Sequence, residues 1–194
     1  MTAICNIIAV LIVFGAIYLS IKTKILKDVC VIDSDIGPVE TYSFARTQGL
    51  WWTTLIGACF VIGFGKRGEV IELNSTCLVL LAIGVGTTAI ASVIDNNTPP
   101  EETPKDKIET EKDLPPKLRK PTNFFTQILS DSTGITVYRY QALIFNLIFS
   151  MVFLVTFFEK LSHGDREFPS FSSETLGLMG ISATTYLGMK ATEK

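Results

Sequence analysis

The sequence predicts an all-α membrane protein: five transmembrane helices, made of an N-terminal anchor plus two parallel repeats of a helical hairpin, with a short interfacial amphipathic helix. Three observations predict it. Five apolar stretches reach or approach the roughly 17–25 residues that a helix needs to cross a bilayer. The charges are crowded into the segments between those stretches, while 47% of the chain is hydrophobic and mean hydropathy is +0.38, a distribution that belongs to membrane proteins. Finally, an Arg-x-Gln triplet occurs twice, each time at the threshold of an apolar run.

The first stretch, Ala3 to Ile21, lacks a basic leader and an A-x-A-like cleavage site, and Lys22, Lys24 and Lys27 follow it directly. It reads as a retained anchor with its N-terminus outside, occupying residues 1–27. The others run from Gly49 to Gly65, Thr76 to Ile94, Ala142 to Phe158 and Glu174 to Met189. With the N-terminus outside, segments 22–48, 95–141 and 190–194 are cytoplasmic and carry four, seven and two Lys or Arg; the outer segments 66–75 and 159–173 carry two each. Thirteen against four is the asymmetry that the positive-inside rule requires for this orientation, which places the C-terminus in the cytoplasm.

Residues 96–122 hold six prolines, dense charge of both signs and almost no large apolar side chains. Such a composition cannot bury a core and predicts a flexible cytoplasmic linker. After it, Phe124, Phe125, Ile128 and Leu129 share one face of a short helix and Asn123, Thr126, Gln127 and Ser130 the other, the pattern of a helix lying in the interface.

The repeat emerges by aligning the triplets. At an offset of 93, Arg46 meets Arg139, Gln48 meets Gln141 and Trp52 meets Phe145; at an offset of 98, Ser75 meets Ser173, Leu80 meets Leu178 and Thr87 meets Thr185. A helical hairpin therefore appears twice, in residues 28–95 and again, with the interfacial helix, in 123–194. At the start of each hairpin, Arg46, Gln48, Trp51, Trp52, Arg139 and Gln141 are expected as interface anchors. Lipid phosphate offsets the mild penalty of a cation at a helix N-terminus, and the tryptophans suit the aromatic belt. The second helix of each hairpin carries small residues four apart: Gly84, Thr88 and Ser92, then Gly180, Thr184 and Gly188. In lipid such stripes let backbones approach closely; in an oligomer, the same threonines could instead line a polar path.

The segments SFARTQ and LNSTCLVLLAIGVGTT in the first copy, with VYRYQ and LGLMGISATTYLG in the second, resemble a group of uncharacterised bacterial multi-pass membrane proteins with a duplicated R-x-Q helical hairpin. The first copy departs from the second in having Gly84 where the second has Ser182. The resemblance implies a bacterial inner (cytoplasmic) membrane protein of this architecture and carries over no established activity.

Several function classes are set aside by the residues. A net charge of -2 offers no basic surface for nucleic acid. Cys5, Cys30, Cys59 and Cys77 form no C-x-x-C pair, and His163, the single histidine, sits in a polar segment. No metal, cofactor or catalytic constellation is expected. Asp33 and Asp35 are a minor acidic pair in the loop before the second span. No ionisable residue lies deep in a span, which counts against an ion-coupled pump; Asn6 and Asn146 are the strongly polar amides there, expected to join helices. Two functions remain. One is a non-enzymatic scaffold that forms a homo-oligomer in the bilayer and presents its linker to a cytoplasmic protein partner. The other is an oligomeric channel or membrane-perturbing effector subunit, a class that includes bacterial defence proteins.

Overall fold

A computed structural model describes residues 1–30, 39–97, 123–130 and 134–192. The linker between 98 and 122 and the Asp33–Asp35 pair lie outside the described residues. Six helices and one small sheet follow in order: α1 (Thr2–Lys22), β1 (Lys27–Cys30), β2 (Val39–Tyr42), α2 (Phe44–Arg67), α3 (Ser75–Asn97), α4 (Phe124–Leu129), α5 (Val137–His163) and α6 (Ser173–Thr192). Each of the five apolar stretches is a helix. Three of them, α1, α2 and α5, are long and apolar enough to cross a membrane; the apolar part of α3 is the shorter Ser75–Ile90.

Helix α1 shows most plainly what surrounds the molecule. Its buried residues are Cys5 and Ala9, whereas Ile4, Ile7, Leu11 and Phe14 are exposed. A helix apolar all round that hides so little of itself is suited to lipid, where exposed aliphatic surface has no water to avoid. It touches α2 through small groups: Cys5 lies against Gly65, where an added Cβ would collide with the Cys5 side chain, and the Thr2 hydroxyl donates to the Gly65 carbonyl at 2.9 Å.

The two hairpins begin alike. Ser43 and Thr136 precede α2 and α5 with extended backbone, and their N–H groups donate to the carbonyls of Leu26 at 2.7 Å and Leu129 at 3.0 Å. Both helices end on a left-handed glycine, Gly68 at φ 77° and Gly164 at φ 92°, a conformation that costs other residues a steric clash. The second helices are also capped alike. Asn74 Oδ1 accepts the Cys77 N–H at 3.0 Å, and Ser172 Oγ accepts the Thr175 N–H at 3.3 Å, 98 residues on.

Like helices adjoin like, α2 touching α5 and α3 touching α6. The main core lies among all four: Trp52, Ile56, Cys59, Cys77, Leu80, Phe153, Phe157 and Met179 are buried there with Phe168 from the second loop. The loops at the Gly68–Gly164 end are stitched together. The Arg67 guanidinium donates to the carbonyls of Gly164 and Lys160 at the α5 C-terminus. Asn74 Nδ2 reaches the Phe168 and Pro169 carbonyls at 3.0 and 2.9 Å, and Phe171 N–H donates to the Thr76 hydroxyl at 3.0 Å.

At the opposite end a smaller cluster joins Phe44, Ala45, Ile128 and Ala142. Helix α4 lies against it, with Ile128 buried and Phe125 exposed, and Gln127 Oε1 accepts the Tyr42 N–H at 3.2 Å. The β1–β2 hairpin, pairing Lys27 with Tyr42 and Cys30 with Val39, is an element the sequence reading does not anticipate. Its signal was present: a short β-branched run on either side of the turn-forming residues Asp-Ser-Asp-Ile-Gly-Pro.

Candidate functional site

Arg46 and Arg139 are each the third residue of their helix, and Gln48 and Gln141 the fifth. The local chain thus sets up the two triplets identically, yet their burial is exchanged. Arg46 is half-buried and Gln48 is 6% exposed; Arg139 is 1% exposed and Gln141 is exposed. Arg139 Nε donates to the Tyr138 hydroxyl at 3.3 Å, and its guanidinium lies 5.7 Å from that ring. Arg139 and Gln48, both expected among the interface anchors, are therefore interior groups within the chain.

The reason is rotational. The buried face of α2 includes Ala45, Trp52, Ile56 and Cys59; carried forward by 93 residues these positions become Tyr138, Phe145, Phe149 and Val152. The buried face of α5 instead runs through Arg139, Asn146, Ser150 and Phe153, one residue further on. One residue is a turn of about 100°. Helix α5 thus presents a different side to the core, and its triplet turns with it.

Trp52 is interior as well. Placed by sequence in an aromatic belt, it is 0% exposed, and its indole N–H donates to Asn146 Oδ1 at 2.8 Å. Asn146 Nδ2 donates back to the Ala142 carbonyl at 2.8 Å. Trp51, 45% exposed, donates from Nε1 to Ser150 Oγ at 2.6 Å, and that hydroxyl donates to the Asn146 carbonyl. Two consecutive indoles on α2 thereby grip two polar residues one turn apart on α5. Every donor and acceptor named here is paired, which a buried polar group in an apolar bundle requires. Asn146 joins helices, as its residue type suggested. Its partner was hidden because tryptophan at a helix entrance is more often a membrane anchor. Asn6, on α1, is exposed.

The two small-residue stripes also part company. On α3, Gly84 lies against Gly49 of α2, and a Cβ on either glycine would come within 3.1 Å of the other helix's backbone. Thr88 Oγ1 donates at 3.0 Å to the carbonyl of Ala45 across the crossing and to that of Gly84 in its own helix. Ser92 continues the stripe on α3, its side chain outside the described set. On α6, no atom of the described residues lies within 4 Å of a Cβ added at Gly180 or Gly188, and Thr184 is exposed, donating to the carbonyls of Gly180 and Ile181 in its own helix. The inward face of α6 is carried instead by Met179 and Ala183. At an offset of 98, Gly180 and Thr184 correspond to Ala82, which is exposed, and Gly86, which has no atom of the described residues within 4 Å of an added Cβ. The stripes are two residues out of register, about 200° round the helix.

Cys5, Cys59 and Cys77 are buried free thiols in helix contacts, and His163 is exposed at the end of α5. Among the described residues no three His, Cys, Asp or Glu side chains gather as metal ligands. Comparison with protein-family models, curated proteins and solved structures finds no match to the chain.

Proposed function

We propose that the protein is a non-enzymatic membrane scaffold of five spanning helices that associates with further copies of itself through the outer face of α6. The observation that carries this reading is the uncovered stripe of Gly180, Thr184 and Gly188. In hydrocarbon, helices gain little from apolar contact alone, and close approach over small residues is the common means of association. The Gly49–Gly84 crossing in the same chain is an example of that packing already made. The matched helix starts, glycine ends and N-caps support a duplicated hairpin, and the proposal includes the bacterial inner-membrane setting, the N-outside orientation and a cytoplasmic partner for the linker.

A channel reading gains less support, because the hydroxyls of Thr87, Thr88 and Thr184 donate to helix carbonyls. The test is the size distribution of the protein in lipid nanodiscs or mild detergent, followed by in-membrane cross-linking. Joint replacement Gly180→Leu and Gly188→Leu is expected to weaken association at least tenfold while leaving the monomer folded. Unchanged association in the double variant, or a wild-type chain that stays monomeric in the bilayer, overturns the proposal.

A further inference from the structure

The likeness of the two halves reaches further back than the hairpins. TKILKD, Thr23 to Asp28, and TQILSD, Thr126 to Asp131, agree at four of six positions, 103 residues apart. The two segments also hold the chain alike: the Leu26 carbonyl accepts the N–H of Ser43, and the Leu129 carbonyl that of Thr136, the residues just before α2 and α5. In the first half the segment follows α1, a helix of 21 residues packed against α2. In the second it falls in α4, whose six residues make about 9 Å of helix. Helix α4 thus stands where the inner end of an α1-like helix would lie, and beside α5 the remainder of that helix has no counterpart among the described residues.

A trough of ≈ 1060 Å³ occupies that place. Helix α4 lines one end, α1 and α2 form one side, and on α5 the lining runs from Leu143 to Phe158, about 22 Å of helix axis. Spread over that length, the volume gives a mean cross-section of about 50 Å², roughly half that of a helix 10–12 Å across. One face of a helix fits, the other staying in lipid, just as α1 hides Cys5 and Ala9 and exposes Leu11 and Phe14. Gln48 Oε1, buried and without a hydrogen-bond partner among the described residues, has essentially no accessible surface and takes no part in such a contact. The direction of the helix follows from α1, which runs from the Gly65 end of α2 to the Ser43 end. Helices α3 and α6 run the same way, but α3 lies against both α2 and α6. Helix α6 leaves its small-residue face of Gly180, Thr184 and Gly188 uncovered.

The trough suits that face. Gly65, where α2 makes room for Cys5, is matched 93 residues on by Phe158, and Leu154 and Leu147 continue the bulky wall. A helix seated against them must itself be small at the contact. Depths agree as well. Gly180 and Gly188 lie about 10 and 22 Å along α6 from Ser173, while Phe158 and Leu147 lie about 8 and 24 Å along α5 from His163. We infer that the trough of one copy receives α6 of the next, with Gly180, Thr184 and Gly188 against Phe158, Leu154 and Leu147, which rests on the association through α6 proposed above and names the surface that accepts it. Helix α6 packs on α3 and α5 of its own chain and lines no part of the trough, so the two surfaces differ. Such a contact is head-to-tail and closes into a ring or grows as an open chain, whereas α6 meeting α6 stops at a pair.

The test is complementation between two variants of the full chain in phosphatidylcholine vesicles, with association read by energy transfer between labelled copies. Gly180→Leu with Gly188→Leu spoils α6 and leaves the trough; Thr54→Phe narrows the trough, which Thr54 lines, and leaves α6. Each variant alone is expected to associate at least tenfold more weakly than the wild type. Mixed, they retain one intact trough and one intact α6, so pairs are expected and nothing larger. Wild-type association by Thr54→Phe alone, or a mixture that does not pair, overturns the inference and leaves association through α6 standing. Unchanged association in the α6 variant, or a wild-type chain that stays monomeric, overturns both. If Thr54→Phe does not fold, cross-linking decides. Thr184→Cys in one copy and Leu147→Cys in another should be joined by a short bis-maleimide only when the two are mixed, with the wild-type chain and its native cysteines as the blank. Thr184→Cys joining to itself, without the mixed product, overturns the head-to-tail contact and keeps α6 as the interface.

Discussion

Hairpin α2–α3 and hairpin α5–α6 start, turn and cap at corresponding positions, but their interiors are built differently. In the first, two glycines bring the helix backbones together and Thr88 ties the crossing. In the second, Met179 and Ala183 make the inward contacts of α6 while its own glycines face out. Neighbours explain the divergence. Helix α2 packs against α1, α3 and α5, whereas α5 packs against α2, α4 and α6. A helix turns its best-fitting side to whatever surrounds it, so a shared sequence pattern need not mean a shared buried face. What the two hairpins share is the ends of their helices, where caps and backbone conformation are set locally.

The largest effect expected in this comparison comes from the close crossing. Gly84→Leu drives a side chain into Gly49 and should cost about 3 kcal/mol, seen as a large drop in the unfolding midpoint in detergent. Gly180→Leu, in the other stripe, should leave that midpoint nearly unchanged. Equal losses at the two positions would show that α6 buries its stripe after all.

Next in size is the grip between α2 and α5. Trp52→Phe removes the donor to Asn146 and leaves its Oδ1 buried and unpaired, a loss of about 2 kcal/mol. Phe145→Leu, 93 residues further on in α5, removes only a half-buried ring and should cost less. Denaturation of both variants in parallel checks the order, and the reverse ranking breaks the argument from rotation.

A smaller loss is expected at the α1 contact. Gly65→Ala places a methyl group where Cys5 now lies and should cost about 1 kcal/mol. The sensitive measurement is the rate at which a small maleimide reaches Cys5, which should rise as α1 loosens; an unchanged rate means that α1 shifts without loosening.

Smallest is the tie from the β1–β2 hairpin to the end of α1. The Lys24 ammonium, hydrogen-bonded to Glu40, holds the Glu40 carboxyl below the usual carboxylate range, with Lys27 at 3.4 Å assisting. A lowered folded-state pKa means that the stabilisation is present above the unfolded value and lost as pH falls through the folded one. Acidification below the ordinary carboxylate range should therefore loosen β2 in the wild type more than in Glu40→Gln, measurable by amide hydrogen exchange at residues 40–42. Because the pair is exposed, the difference should be small and should shrink with added salt.

Much of this was legible from residues alone. The five apolar runs mark the five long helices, α1, α2, α3, α5 and α6, because long apolar periodicity dominates local conformation. Asn146 was recognisable as a joint because an amide in an apolar span needs a partner. The one-residue rotation of α5 was not legible, since both triplets look identical in sequence and only their neighbours differ. The Trp52 partner was hidden for a related reason: a residue equally at home in a belt or in a core declares itself only through a partner, here 94 positions away. The orphaned Gln48 oxygen is likewise a fact of packing, and no spacing in the chain could announce it.

The stitching of the two loops has a consequence in time. Asn74 and Thr76 make their long-range bonds with residues 94 or 95 positions later in the chain. A polypeptide made from its N-terminus therefore completes α3 while these two side chains still await their partners. The end of the first hairpin is finished only when residues 168–171 arrive, so a chain that stops short carries two open polar groups as a mark of its incompleteness.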